Sequence, residues 1–134
     1  DAAVLNCLRQ QGFDMQATAQ ALGWDRSTVT QRLKGLCFQA LVETRGDKAQ
    51  AAATLAGDPS LTRTVEIKLM DYYDHLVATI QPFATVEEAL IDCKRRFKNL
   101  PDRHFRSVET LVRQYFHPDR PASLSLRKGS QASQ

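Results

Sequence analysis

The sequence has little of what marks the more specialised classes of protein. Its three cysteines, Cys7, Cys37 and Cys93, lie far apart and form no Cys-x-x-Cys pair or Cys/His cluster with the spacing of a zinc site. This is typical of a reducing compartment, where cysteine acts as a small hydrophobic residue. No apolar run approaches the ~18 residues of a membrane span, and no signal-peptide pattern opens the chain. We expect a cytoplasmic protein with no membrane association, no metal and no cofactor.

Its composition is that of an ordinary globular domain. The chain has 134 residues, of which 43% are hydrophobic and 25% charged, and it carries a net charge of +3. So small a charge permits nucleic-acid binding without requiring it. Because the first residue is Asp1 and not Met, we expect a fragment of a longer protein or a processed chain.

Strand signals are nearly absent, whereas helix signals run through the whole chain. Asp14, Asp25 or Ser27, Asp47 and Thr85 are placed to cap helices, and the last forms a Thr-x-x-Glu capping box with Glu88. Glycines and prolines punctuate the helices between them, and a turn is expected at residues 57–59. Gly35 is a candidate position for a bend. The sequence therefore predicts an all-α helical bundle.

Residues 13–34, FDMQATAQALGWDRSTVTQRLK, fit a helix-turn-helix. Ala19 is small where the two helices cross, Leu22 ends the first helix, and Gly23 suits the left-handed backbone of a tight turn. The second helix buries Val29 and Leu33. Its other face carries short hydroxyls and long hydrogen-bond donors suited to phosphates and base edges, namely Arg26, Ser27, Thr28, Thr30, Gln31, Arg32 and Lys34.

These residues resemble the Fis-type helix-turn-helix module of bacterial activators that work with the nitrogen-type sigma factor. The pattern is Ala-x-x-Leu-Gly from Ala19, followed by Arg-Ser-Thr-Val-x-x-x-Leu-Lys from Arg26. The resemblance implies that Arg26, Ser27 and Thr28 meet the DNA backbone. It also implies that Thr30, Gln31 and Lys34 enter the major groove.

The resemblance further implies double-stranded DNA as partner and a homodimer reading paired half-sites. It also implies RNA polymerase with that sigma factor as a partner, reached through upstream domains absent here. The family's ATP-hydrolysing motor is not expected in this chain, because no Gly-x-x-x-x-Gly-Lys-Ser/Thr loop occurs. One departure is that the module usually closes the chain in that family, whereas residues 47–134 follow it here.

A second, degenerate copy is indicated further along. Residues 14–22 align with 47–55 at an offset of 33, and Val29 and Leu33 match Val65 and Leu69 at an offset of 36. The alternative is chance similarity between two Ala-rich helical hairpins. Carboxylates at Glu66, Asp71 and Asp74 disfavour this copy as a DNA reader and favour a structural or dimerising unit.

The charge is uneven along the chain. Residues 1–46 carry +1, residues 47–81 carry −2 and residues 82–134 carry +4. The basic excess begins at Lys94, Arg95, Arg96 and Lys98, which are candidates for contacts with the DNA backbone or form a solvated face.

Four segments are expected along the chain. Residues 1–46 are the helix-turn-helix unit, residues 47–81 its degenerate counterpart, residues 82–118 a C-terminal helical pair and residues 119–134 a disordered tail.

The resulting hypothesis is a sequence-specific DNA-binding domain of a bacterial transcription regulator. The main alternative is a helical dimerisation or partner-docking module that does not bind DNA. A lesser one is a J-domain-like co-chaperone fragment, based on His117-Pro118-Asp119 and Asp71-Tyr72-Tyr73; the gap between these motifs is too long for that family. We expect no enzymatic activity, because His75, His104 and His117 have no metal partners at helical spacing.

Overall fold

The computed structural model describes residues 1–117, and every regular element in that part of the chain is an α-helix. The predicted fold class, all-α, is therefore confirmed. Pro118 and the predicted tail at 119–134 lie outside the described residues. None of the helices within 1–117 has the length and apolar character needed to cross a membrane. In chain order the helices are α1 Ala2–Gln10, α2 Met15–Leu22, α3 Arg26–Glu43, α4 Lys48–Ala56, α5 Pro59–Ile80, α6 Val86–Arg96 and α7 Asp102–Phe116.

Predicted caps start three of the seven helices described, α2, α4 and α6. The carboxylates of Asp14 and Asp47 accept hydrogen bonds from the backbone N–H groups of Ala17 and Gln50 at 2.8 and 2.9 Å. The hydroxyl of Thr85 accepts one from the backbone N–H of Glu88. Each bond satisfies a donor that has no partner inside the helix.

Two helix starts differ in detail from expectation. Asp25, rather than Ser27, occupies the N-cap of α3, but its side chain makes no cap hydrogen bond. Helix α5 begins at Pro59, inside the turn expected at residues 57–59. Asp58 caps it by accepting from the Ser60 N–H, and proline suits the first helical position because its missing N–H would have no partner there.

The backbone repeats itself at the offset of 33 seen in the sequence. Gly12 and Phe13 have φ angles of 62° and 63° before Asp14, and Arg45 and Gly46 have φ angles of 57° and 86° before Asp47. In both places the second left-handed residue donates to the carbonyl five residues earlier, at 2.7 Å. The connection from α1 to α2 therefore has the same geometry as that from α3 to α4.

The burial pattern repeats as well. Leu8 and Leu41, at the same offset, are both buried, as are Ala19 and Ala52. Val29 and Leu33 of α3 and their counterparts in α5 are fully buried. These correspondences align α1–α2–α3 with α3–α4–α5. We call these helix triplets the first and the second unit, and α3 is counted in both.

One hydrophobic core runs through all seven helices. Helix α4 packs along α5, while α3 packs against α2, α4, α5 and α7. Arg9 of α1 reaches the end of α4, where its guanidinium donates to the carbonyls of Leu55 and Thr54 at 2.9 and 3.1 Å. Phe38 and Phe97 meet edge to face with ring centroids 6.1 Å apart.

Helix α7 approaches α3 at Gly35, which lies inside an unbroken helix. A Cβ atom at Gly35 would lie 2.2 Å from Nδ1 of His104, so the absence of a side chain admits the imidazole ring. His104 is fully buried, 3.1 Å from the Asp1 carboxylate. Burial, followed by the positive charges of Arg103 and Arg32 and of the terminal amino group, lowers the pKa of His104 to about 4. This histidine is therefore neutral at pH 7.

Candidate nucleic-acid interface

Helices α2 and α3 meet in a tight turn. Gly23 takes a left-handed conformation, with φ 70° and ψ 31°, and ends α2. The Trp24 N–H donates to the Ala19 carbonyl at 2.9 Å, which closes the turn in the manner of a Schellman motif. Ala19 is buried, and its helix α2 packs against α3. The local geometry is that of a helix-turn-helix.

The first turn of α3 is the open end of the site. Arg26, Ser27 and Thr28 are all exposed, while Val29 and Leu33 on the opposite side are fully buried. This turn presents two hydroxyls and a guanidinium on a helix held firmly by its apolar stripe. Such groups can donate to phosphate oxygens or to base edges.

The remaining predicted residues, Thr30, Gln31, Arg32 and Lys34, are half-buried. The Thr30 hydroxyl donates to the Arg26 carbonyl at 3.1 Å, so it bonds to its own helix. The side-chain carbonyl oxygen of Gln31 is buried and accepts no hydrogen bond from the described residues. A buried acceptor without a donor is energetically costly. Rotation of the Gln31 side chain towards a ligand that donates a hydrogen bond is therefore favourable.

Two aromatic rings hold the long basic side chains of α3. The Arg32 guanidinium lies 5.2 Å from the centre of the Trp24 ring and 3.9 Å from the Asp1 carboxylate. The Lys34 ammonium lies 5.6 Å from the centre of the Tyr72 ring of α5. Cation–π contacts at this range orient a side chain while leaving its charge in place. Sequence reasoning missed both partners, because neither pairing follows from helical spacing.

The loop between α6 and α7 borders the same surface. Asn99 lines a cleft of about 210 Å³ together with Ser27, Thr28, Gln31 and Arg32. Lys98 precedes Asn99 in the chain and is exposed. The end of the predicted basic run therefore comes close to the first turns of α3.

The four basic residues of that run are not equivalent. The carboxylate of Asp92 accepts hydrogen bonds from both Arg95 and Arg96 at 2.5 Å, and these bonds, that from Arg96 above all, lower its pKa. Lys94 and Lys98 are exposed, and neither takes part in this cluster. The two lysines are consequently better placed to attract a phosphate than the two arginines.

Comparison with known families agrees with this geometry. The sequence profile of the family described as "Bacterial regulatory protein, Fis family" matches residues 2–36. Over residues 2–36 the chain is thus similar to the Fis-type helix-turn-helix. The match begins with α1, which the motif at 13–34 does not include, and ends in the middle of α3. No curated protein and no solved structure matches the chain.

Proposed function

We propose that this chain is a sequence-specific DNA-binding domain of a bacterial transcription regulator. The observation that carries the proposal is the exposed polar first turn of α3, set on a buried apolar stripe within a segment that matches the Fis-type profile. In a helix-turn-helix the second helix lies in the major groove with its N-terminal end towards the DNA. The proposal places the protein in the cytoplasm, with the DNA it reads.

The contacts divide along α3. Arg26, Ser27 and Thr28 meet phosphates where the helix enters the groove. Gln31 lies about one turn further along the same side as Ser27 and Thr28, since a helix advances 3.6 residues per turn. Its unpaired carbonyl and its amide group can form the two hydrogen bonds that glutamine makes with adenine.

Thr30, Arg32 and Lys34 act at the sides of the groove. Thr30 can exchange its bond to the Arg26 carbonyl for a base or a phosphate. Arg32 and Lys34 keep their charges while resting on Trp24 and Tyr72, and so favour the polyanion without a large ordering cost on binding.

Lys94 and Lys98 extend the contact to the neighbouring backbone, with Arg95 and Arg96 as weaker contributors because Asp92 already holds them. A homodimer completes the proposal, because modules of this kind read half-sites about one helical turn apart. RNA polymerase with the nitrogen-type sigma factor is a further proposed partner, reached through segments upstream of this chain.

Salt-dependent binding tests the proposal. Genomic fragments selected by the protein, and random DNA of the same length, are titrated by fluorescence anisotropy at several salt concentrations. We expect log–log slopes of about −0.9 per phosphate neutralised. Replacing Lys94 and Lys98 by Ala reduces the slope by about 2. The control is Arg113→Ala, an exposed change near the far end of α7, which leaves the slope unchanged.

Specific readout is tested at Gln31. Gln31→Ala costs roughly 1–3 kcal/mol on the selected site and little on random DNA if the side chain meets a base. Ser27→Ala weakens binding to the selected site and to random DNA equally if the Ser27 hydroxyl contacts a phosphate. An absence of measurable binding at low salt contradicts the proposal and favours the partner-docking alternative.

A further inference from the structure

The second unit differs from the first at the positions that face outward. Ile67 and Met70 of α5 are 47% and 38% exposed, and their spacing of three residues places them side by side on one face of the helix. The offset of 36 that matches Val29 and Leu33 to their α5 counterparts also matches Gln31 to Ile67 and Lys34 to Met70. Where the first unit presents polar groups for DNA, the second presents an apolar surface.

Charged residues flank this apolar pair at both ends. Arg63 lies about one turn before Ile67, and Asp74 lies about one turn after Met70. The arrangement is symmetric about the midpoint between residues 68 and 69, since Arg63 and Asp74 are equally far from it and so are Ile67 and Met70. A second α5 turned end for end therefore meets it with opposite charges aligned.

We propose that α5 is a homodimer interface, in which the stripe of Arg63, Ile67, Met70 and Asp74 pairs antiparallel with the same stripe of a second copy. Ile67 then packs against the partner's Met70, and Arg63 pairs with the partner's Asp74. A two-fold axis makes each contact occur twice, so one stripe supplies two apolar contacts and two ion pairs. The ion pairs fix direction and register more than affinity.

Other charges on α5 bear on this pairing. Glu66 lies 3.8 Å from Arg63 on the same helix, so the guanidinium is shared between Glu66 and the partner's Asp74 in the proposed dimer. Glu66 and Asp71 would lie at the same level in an antiparallel pair, but they sit about 140° apart around the helix axis and so fall on opposite edges. At one edge, Tyr115 of α7 lies close to Tyr73 of α5. The pKa of Tyr73 is raised by burial first, then by Asp74 and then by Tyr115. Tyr115 is itself exposed, and extends the apolar area beside the stripe.

This inference deepens the proposed function, because it names the surface that joins two DNA-reading units. It rests on that function only for the expectation of a dimer. The oligomeric state is measured without DNA, so a failure here and a failure of DNA binding are told apart.

Sedimentation equilibrium from about 1 to 300 µM protein, a range that brackets a weak self-association, is the first measurement. The test variant combines Ile67→Gln with Met70→Lys, which introduces the residues that α3 carries at the matching positions. We expect the dimer dissociation constant to rise by at least roughly tenfold while the helical circular dichroism is unchanged. The control is Ile91→Gln on α6, a residue 73% exposed but off the stripe, which leaves the constant unchanged.

Reversing the charges tests the antiparallel direction. Arg63→Asp and Asp74→Arg each place like charges together and weaken the dimer. Because the pairs are reciprocal, the two changes combined restore opposite charges and recover the affinity. A chain that is monomeric over the whole range, a dimer that survives the apolar double variant, or a combined charge reversal that fails to recover affinity overturns the proposal.

Discussion

The contact between α3 and α7 can be tested by one added methyl group at Gly35. Its Cβ would lie 2.2, 2.6 and 2.9 Å from Nδ1, Cγ and Cβ of His104. None of these atoms is the free end of a flexible chain, and the ring is fully buried. To admit the methyl group, α7 must shift or the imidazole must leave its position.

The sign of the effect separates packing from helix propensity. Alanine in a helix interior is favoured over glycine by about 0.5–1 kcal/mol, so propensity alone predicts that Gly35→Ala stabilises the protein. Overpacking a tight core costs about 1–3 kcal/mol and occasionally more. With three atoms inside 3 Å, we take the upper part of that range and expect a net loss of about 2 kcal/mol. For a chain of this size that is a fall in Tm of roughly 8 °C.

Urea unfolding followed by circular dichroism measures this loss as a lower midpoint at an unchanged slope. Gly12→Ala and Gly23→Ala are the controls, since no atom lies within 4 Å of either added Cβ. Each costs about 1–2 kcal/mol for the left-handed backbone. This loss is of the same order as that at Gly35 but, unlike it, is not reduced by His104→Ala. Adding His104→Ala to Gly35→Ala removes the two closest contacts, at 2.2 and 2.6 Å, and leaves only the Cβ–Cβ approach of 2.9 Å. The double variant should therefore lose less stability than the two single variants together. A Gly35→Ala protein as stable as the parent would refute the packing of α7 on α3.

Two further predictions concern stability. The native state keeps His104 neutral down to about pH 4, whereas the unfolded state protonates it near pH 6.5. The contribution of His104 to the free energy of unfolding is therefore fully present above pH 6.5 and is lost between pH 6.5 and pH 4, by up to about 3 kcal/mol. When the urea midpoint is measured as a function of pH, the decrease should be absent in His104→Gln and present in His75→Gln, an exposed control. An unchanged profile in both variants contradicts the assignment. Asp14→Ala and Asp47→Ala should each cost about 1 kcal/mol and Asp25→Ala less, since only the first two make cap hydrogen bonds; equal losses would contradict this.

Local signals in the sequence locate the helices well. Asp14 and Asp47 mark helix starts through bonds within four residues, and Gly23 and Gly57 mark ends because both need a left-handed backbone. The start of α5 is less readable, since Pro59 fits equally well in a turn or at a first helical position. The role of Gly35 is beyond local reasoning, because it depends on a histidine 69 residues away in the chain.

The candidate site divides in the same way. The exposure of Arg26, Ser27 and Thr28 follows from their place opposite an apolar stripe. The contacts of Arg32 with Trp24 and of Lys34 with Tyr72 could not be predicted in this way, because they depend on the turn geometry and on the packing of α5. The pairing of Asp92 with Arg95 and Arg96 could have been inferred from spacings of three and four on one helix. The assignment of particular residues to DNA contacts remains a prediction.

Helix α3 is counted in both units and therefore connects them as one rigid element. Its 18 residues extend for about 27 Å without a linker, and one end presents the candidate reading face while the other leads into the unit that carries the stripe. Inserting one residue in its middle would turn one unit by about 100° relative to the other and move it by about 1.5 Å. The spacing within α3 therefore determines the angle between the candidate reading face and the proposed pairing stripe.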